Sequence, residues 1–277
     1  MSHRSGSQSN DEPVSGRTFP HETRTATQQA AFLLPFLSAN MRLLDVGCGP
    51  GSITVDLAET VVPGAVVGMD NDPQRIESAK AHAAERAVRN VSFEVGDAAA
   101  LSFLDETFDA AFANTLLQHV PDPGTVIAEV FRVLKPGGAF GVRDGAGGNS
   151  LICTNVTPDL TQAGELVHRW QAASGTDRNI GSRLYSLLEQ AGFAQLQISA
   201  SYDNYSTPEA VKRFAGVVAR ILQSDALAEK AEAMGWADRD TITRLAAAWA
   251  EWGERPGSFV AAAHYEVVGW KPETSQG

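Results

Sequence analysis

The stretch LLDVGCGPGS, residues 43–52, limits what this chain can fold into more than any other part of it. A short apolar run, Leu43, Leu44 and Val46, reads as one buried strand. It meets glycines at 47, 49 and 51, and a helix-forming segment, SITVDLAET, follows at once. Glycine adopts positive φ without steric cost, so a strand turning into a helix through glycines lets backbone approach a ligand closely. A tight turn that binds nothing is the bland alternative. A dinucleotide site needs G-x-G-x-x-G, but Ser52 stands where the third glycine should fall. A nucleoside triphosphate loop needs Gly-Lys-Ser/Thr, which does not follow.

Downstream, strands and helices alternate. AVVGMD, VSFEVGD, FDAAFAN and AFGVRD read as strands. PQRIESAKAHAAERAV and GTVIAEVFRVL read as helices, the second with Val126, Val130 and Val133 on one face and Lys135-Pro136-Gly137-Gly138 ending it. Near-continuously apolar strands joined by helices predict a doubly wound parallel sheet covered on both faces. Upstream, Thr25 to Gln28 is a candidate capping box for TATQQAAFLLPFL, with Pro35 kinking or interrupting that helix.

Beyond Asp144 the character changes. GAGGN reads as a loop, and residues 157–192 read as mostly helical, closing at Gly192. QLQISA suits an outer strand with Leu196, Ile198 and Ala200 on one face. Two or three helices run over about 207–253, and FVAAAHYEVVGW is a closing strand. The expected division is a disordered tail at 1–17, a ligand-binding core at 18–145, and a region at 146–277 that completes the sheet and adds a helical acceptor or lid region.

Charge at the strand ends selects the ligand. Asp45 lies just before the glycine loop, where a pyrophosphate would be repelled but the ammonium of an amino acid would be welcome. That tilts the reading from a dinucleotide to S-adenosyl-L-methionine. Asp70 closes the second strand, where it can accept from both ribose hydroxyls, with Asn71 beside it. Asp97 closes the third, placed for the adenine amino group, with the Ala98 amide placed for a ring nitrogen. Asn114 closes the fourth, beneath the methionine portion. Open α/β sheets bind ligands at this C-terminal edge.

LLDVGCGPGS, VVGMDNDP, VGDAAALSF, FDAAFANTLLQHVPDP and VLKPGGAFGVRD, in that order across residues 41–144, resemble the class I S-adenosylmethionine-dependent methyltransferases. The nearest likeness is to the ubiquinone/menaquinone-biosynthesis type of small-molecule enzyme and its relatives in secondary metabolism. The resemblance implies a seven-stranded Rossmann-like sheet whose last strand is antiparallel. It also implies S-adenosyl-L-methionine bound by Asp45, Gly47, Gly49, Gly51, Asp70, Asn71, Asp97, Ala98 and Asn114. The reaction implied is methyl transfer to O, N or C of a small acceptor.

Such a reaction needs mainly alignment and exclusion of water. A general base helps when the acceptor is a hydroxyl or an acidic carbon. His119 is the first candidate base, against a role in bracing the turn at Val120 and Pro121. Asp144 is the second, against a role in fixing the loop after it. His264 and Tyr265 are possible acceptor contacts, and Trp236, Trp249 and Trp252 are either core or acceptor lining. Cys48 reads as a small packing residue.

No histidine pattern suggests a metal site. The net charge of −11 and the absence of an Asn/Asp-Pro-Pro-aromatic turn after the fourth strand argue against a nucleic-acid partner. Two cysteines and no apolar leader or span predict a cytoplasmic protein. Two other functions stay open: a protein that binds S-adenosylmethionine without methyl transfer, and an NAD(P)-dependent oxidoreductase.

Overall fold

A computed structural model describes residues 24–147 and 150–273. The tail expected at 1–17 and part of GAGGN lie outside the described residues. The sheet comprises β1 (Arg42–Val46), β2 (Ala65–Asp70), β3 (Val91–Val95), β4 (Phe108–Asn114), β5 (Leu134–Gly145), β6 (Leu151–Cys153), β7 (Ala194–Tyr205) and β8 (Val260–Trp270). Its order is β3-β2-β1-β4-β5-β8, with β7 on the far side of β8. β1 to β5 pair in parallel, whereas β8 runs antiparallel to both β5 and β7. The seven expected strands are joined by β6, a three-residue strand that pairs with Val260–Ala262 where β8 outruns β5.

The helices are α1 (Ala26–Gln29), α2 (Ser52–Thr60), α3 (Pro73–Glu85), α4 (Pro123–Val133), α5 (Pro158–Ala173), α6 (Leu184–Gln190), α7 (Pro208–Leu222), α8 (Asp225–Ala233) and α9 (Arg239–Glu254). Successive strand residues bury into opposite layers, which is why the strands read as continuous apolar runs. Leu44 and Val67 pack with Val126, Ile127, Val130 and Val133 of α4 and with Leu184 and Leu188 of α6. Their neighbours Leu43 and Val66 pack on the other face with Leu33 and with Ile53, Leu57 and Ala58 of α2. A separate apolar cluster unites α5, α7, α8 and α9, so the second half of the chain has its own helical core.

Three local expectations need correcting. Thr25 makes no capping hydrogen bond with its side chain, and α1 stops after four residues. The first amide, on Ala26, donates instead to Asp56 Oδ2 at 2.9 Å, so α2 does the capping. Pro35 sits in a separate 3-10 turn, Leu34–Phe36. Leu33, just before it, fills the space over Gly141, where a Cβ would lie 2.8 Å from Leu33 Cδ2.

Lys135-Pro136-Gly137-Gly138 does not separate α4 from a strand, because β5 begins directly at Leu134. In β7 the apolar positions are not the packed ones past the bulge between Ala194 and Gln197. Ile198 is 57 % exposed. Half-buried Ser201 accepts from Arg143, and Ser199, itself exposed, donates to Glu266. Their face of the strand meets a buried charge, so polar side chains serve it better than aliphatic ones.

Candidate functional site

Gly47, Gly49 and Gly51 all adopt left-handed φ, at 75°, 54° and 79°. Each has a different reason to lack a side chain. A Cβ on Gly47 would meet Leu116 Cδ1 at 2.8 Å, and one on Gly51 would meet Ala79 Cβ at 2.7 Å. At Gly49 nothing lies within 4 Å. The bare Cα atoms of Gly47 and Gly51 let the loop fit between its neighbours, whereas Gly49 faces open space.

The end of β2 ties this loop down. The Gly47 and Cys48 amides donate to the Met69 carbonyl at 2.7 and 2.9 Å. The Gly49 amide donates to Asp70 Oδ2 at 3.0 Å, and the Asp72 amide to Asp70 Oδ1 at 3.0 Å. A carboxylate offers about four lone-pair positions, so Asp70 retains acceptor capacity after holding the loop.

In front of the loop opens a cavity of about 1160 Å³. Asp45, Gly47, Gly49, Asp70, Asn71, Asp97, Ala98, Asn114 and His119 all line it, whereas Gly51 and Asp144 do not. Gly51 acts instead as the N-cap of α2.

Asp45 is 2 % exposed, and its Oδ2 accepts from Thr54 Oγ1 at 2.6 Å. Burial, reinforced by the nearby Asp70 charge and opposed by the Thr54 bond, pushes its carboxyl up to about 7. Asp97 is exposed and takes the Ala99 amide on Oδ1 at 2.9 Å, which fixes the turn after β3. Cys48 is buried with its thiol pushed up by desolvation first and by Asp45 and Asp70 next, the state of a packing residue.

Asp144 needs correcting as a candidate base. It is fully buried, and its carboxylate takes the Leu117 amide at 2.8 Å and the Gly145 amide at 3.3 Å. Burial raises it to about 7. Enclosed in this way, it holds the turn after β4 and presents nothing to the cavity. His119, on that same turn (Leu117–His119), stands at the cavity wall. Its Nε2 lies 3.1 Å from Gln118 Nε2. Loss of water, then the Arg178 and Arg75 cations, hold the imidazole below its ordinary value, so it is neutral near pH 7.

The cavity continues away from the sheet edge into the helical half. Trp249 lines it, but Trp252 is core, donating Nε1 to the Thr154 carbonyl at 2.8 Å, and Trp236 packs against the helical cluster. His264 lines it, whereas Tyr265 packs against the core beneath α4 and α6.

Sequence reasoning missed the wall residues Arg24, Arg178, Tyr205 and Trp170, and the charge network beneath them. Arg143, fully buried, donates to Asp203 Oδ1 (2.8 Å), Gln29 Oε1 (2.8 Å) and Asn114 Oδ1 (3.3 Å) and meets His264 Nδ1 at 3.0 Å. Burial and the Arg143 charge push His264 down to about 3, so the ring is neutral and accepts from Arg143. Arginine in VRD at a strand end was a visible signal. No motif marks Arg178 in GTDRNIG.

Among the described residues, the buried side-chain atoms lacking a hydrogen-bond partner are Gln118 Oε1, His168 Nδ1 and Trp249 Nε1. All three residues line this cavity. Unmet hydrogen-bonding demand is rare in folded proteins, and here it clusters around one space.

Comparison with known proteins agrees with this geometry. A family model described as a methyltransferase domain matches residues 37–192. A probable methyltransferase, ltbC, of Aspergillus luteorubrus is 38% identical over 132 residues, covering 44% of this chain and 46% of the relative. The demethylmenaquinone methyltransferase of Lactococcus lactis is 44% identical over 99 residues, covering 35% of this chain and 39% of the relative. The matched stretch thus spans less than half the length of each of these curated relatives. The solved structure of the YcgJ protein of Bacillus subtilis shares the fold, with a TM-score of 0.59 at 21% identity over 88% of this chain and 98% of that one. Since the family model spans more than half of the chain, and spans the glycine loop and the strand ends that ring the cavity, the chain belongs to the family of methyltransferase domains.

Proposed function

We propose that this chain binds S-adenosyl-L-methionine at the ends of β1 to β4 and catalyses methyl transfer to O, N or C of a small acceptor held in the helical half. The observation that carries the reading is the ring of Asp45, Asp70, Asp97 and Asn114 around one cavity, with the left-handed Gly49 open toward it. At about 1160 Å³ the cavity exceeds the roughly 300–1,000 Å³ usual for a single drug-sized ligand, which suits two molecules side by side.

The residues fit the cofactor. Asp70 keeps acceptor positions for ribose hydroxyls, and Asp97 and Ala98 flank the place for adenine. Asn71 stands beside the ribose acid, and Asn114 lies beneath the methionine portion. Buried Asp45 gains a counter-charge from an ammonium group, which relieves the desolvation that now raises its carboxyl. When bound, the sulfonium supplies an already activated methyl group. The chain's work is then to orient the acceptor and keep water out, and neutral His119 is the group able to take a proton from a hydroxyl acceptor. In this reading residues 18–145 bind the cofactor, and 146–277 complete the sheet and cover the acceptor. A small-molecule acceptor accords with the relative named for demethylmenaquinone. A cytoplasmic setting without a nucleic-acid partner rests on the unpaired Cys48 and Cys153 and on the excess of acidic residues.

Calorimetric titration with S-adenosylmethionine, and separately with NAD and NADP, tests this. The expected result is micromolar binding of S-adenosylmethionine alone, weakened by about 10- to 100-fold in Asp70→Ala, as expected for lost hydrogen bonds to a carboxylate. Binding of NAD or NADP in its place overturns the reading.

A further inference from the structure

The charges lining the cavity are segregated. Asp45, Asp70, Asp72 and Asp97 come from the ends of β1 to β3, where the cofactor is proposed to bind, and Arg75 beside them is paired with Asp70 at 3.7 Å and Asp72 at 3.6 Å. Past Asn114 the charged wall residues are Arg24, Arg178 and Asp203, together with three histidines. Asp203 is already committed, at 2.8 Å from the buried Arg143 guanidinium and accepting from Gln29 Nε2 at 2.9 Å. Arg24 donates to Thr115 Oγ1 at 3.2 Å.

Arg178 differs from both. Its guanidinium makes no hydrogen bond or ion pair with any described residue, and Asp144, whose charge it feels, is held by the backbone amides of Leu117 and Gly145. Burial lowers the pKa of both Arg24 and Arg178. A half-buried guanidinium on a cavity wall with no partner among the described residues gains from an arriving anion, and guanidinium suits a planar carboxylate best. That a chain of net charge −11 leaves such a cation in its cavity makes the demand more pointed.

The surface beyond it is apolar: Val167, Trp170, Phe214, Val218, Ile221 and Trp249 line the same space from α5, α7 and α9. We infer that the acceptor is an amphipathic organic anion, its carboxylate seated on Arg178 and its ring or hydrocarbon body among these side chains. This rests on the two-molecule reading of the cavity proposed above.

Two fluorescent probes with one aromatic body test it: 8-anilinonaphthalene-1-sulfonate, an anion, and N-phenyl-1-naphthylamine, which is neutral. Each is titrated into wild type and Arg178→Gln, with and without saturating S-adenosylhomocysteine, whose own affinity is measured by calorimetry. Wild type is expected to bind the anion at least tenfold more tightly than the neutral probe. Arg178→Gln is expected to abolish that preference, leaving the neutral probe's affinity unchanged, which also reports that the cavity remains folded. S-adenosylhomocysteine affinity should change less than threefold. No anion preference in wild type, or a preference that survives in Arg178→Gln, overturns the inference. So does a loss of tenfold or more in S-adenosylhomocysteine affinity, which would assign Arg178 to the cofactor's own carboxylate. If wild type fails to bind S-adenosylhomocysteine at all, the proposed function falls, and the probe pair without it still decides whether Arg178 selects anions.

Discussion

Replacing Gly49 and Gly51 separately by alanine distinguishes a glycine that serves a ligand from one that serves packing. Both residues adopt left-handed φ, 54° and 79°, so each alanine incurs the backbone strain of about 1–2 kcal/mol. Only Gly51→Ala adds a collision: its Cβ would stand 2.7 Å from Ala79 Cβ and 3.0 Å from Ala79 Cα. That neighbour is helix backbone on α3 and cannot swing aside, so overpacking adds about 1–3 kcal/mol. The expected destabilisation is therefore about 2–5 kcal/mol at Gly51 and about 1–2 kcal/mol at Gly49.

Binding should rank the other way for Gly49. Its new methyl group enters open space at the cavity wall, where the cofactor is proposed to approach the backbone, and a loss of at least tenfold corresponds to about 1.4 kcal/mol. Urea unfolding followed by circular dichroism gives the stabilities, and calorimetry with S-adenosylhomocysteine gives the affinity. The reasoning is refuted if the two variants lose equal stability, or if Gly49→Ala binds as well as wild type does.

Two further outcomes follow from the buried charges. Arg143→Met strands Asp203 and Glu266, which lie 2.8 and 3.4 Å from the guanidinium, and should lower stability by about 3–5 kcal/mol in urea unfolding. A loss under about 1 kcal/mol would mean that the network is not needed as a unit. Asp45 titrates near 3.9 when unfolded and at about 7 when folded, so the native state holds its proton longer. Its contribution therefore falls as pH rises between these values, with a limiting slope of about 1.4 kcal/mol per pH unit. The stability difference between wild type and Asp45→Asn, measured at half-unit steps from pH 4 to 8, should decline over that window and level off above it. A flat difference would show that Asp45 ionises normally.

The local sequence determines a good deal of this protein. Apolar strands such as LLDV and AVVGMD are buried on both faces, so they read as continuous runs and predict a parallel sheet without any knowledge of partners. The glycine turn and the acids at successive strand ends were equally legible, because the end of a strand and the edge of an open α/β sheet are the same place. Gly47, Gly49, Asp45, Asp70, Asp97 and Asn114 stand around the cavity for that reason, together with neighbouring Asn71 and Ala98.

What only the tertiary structure decided depends on side-chain direction and on contacts between distant segments. Arg143 and Asp144 are neighbours on β5 and so point to opposite faces. One joins Gln29, Asn114, Asp203 and His264 in a network beneath the cavity, and the other bonds the turn after β4. Alternation was visible in VRDG, but which face the cavity occupied was not, and so the two roles open to Asp144, base or brace, were not separable from the sequence. The residues of that network come from positions 29, 114, 143, 203 and 264, separations over which no local periodicity carries information. Arg178 is the extreme case: its turn between α5 and α6 carries no motif, and only the packing of the helical half around the cavity set an ordinary surface residue type facing an apolar wall, with no hydrogen-bond partner among the described residues.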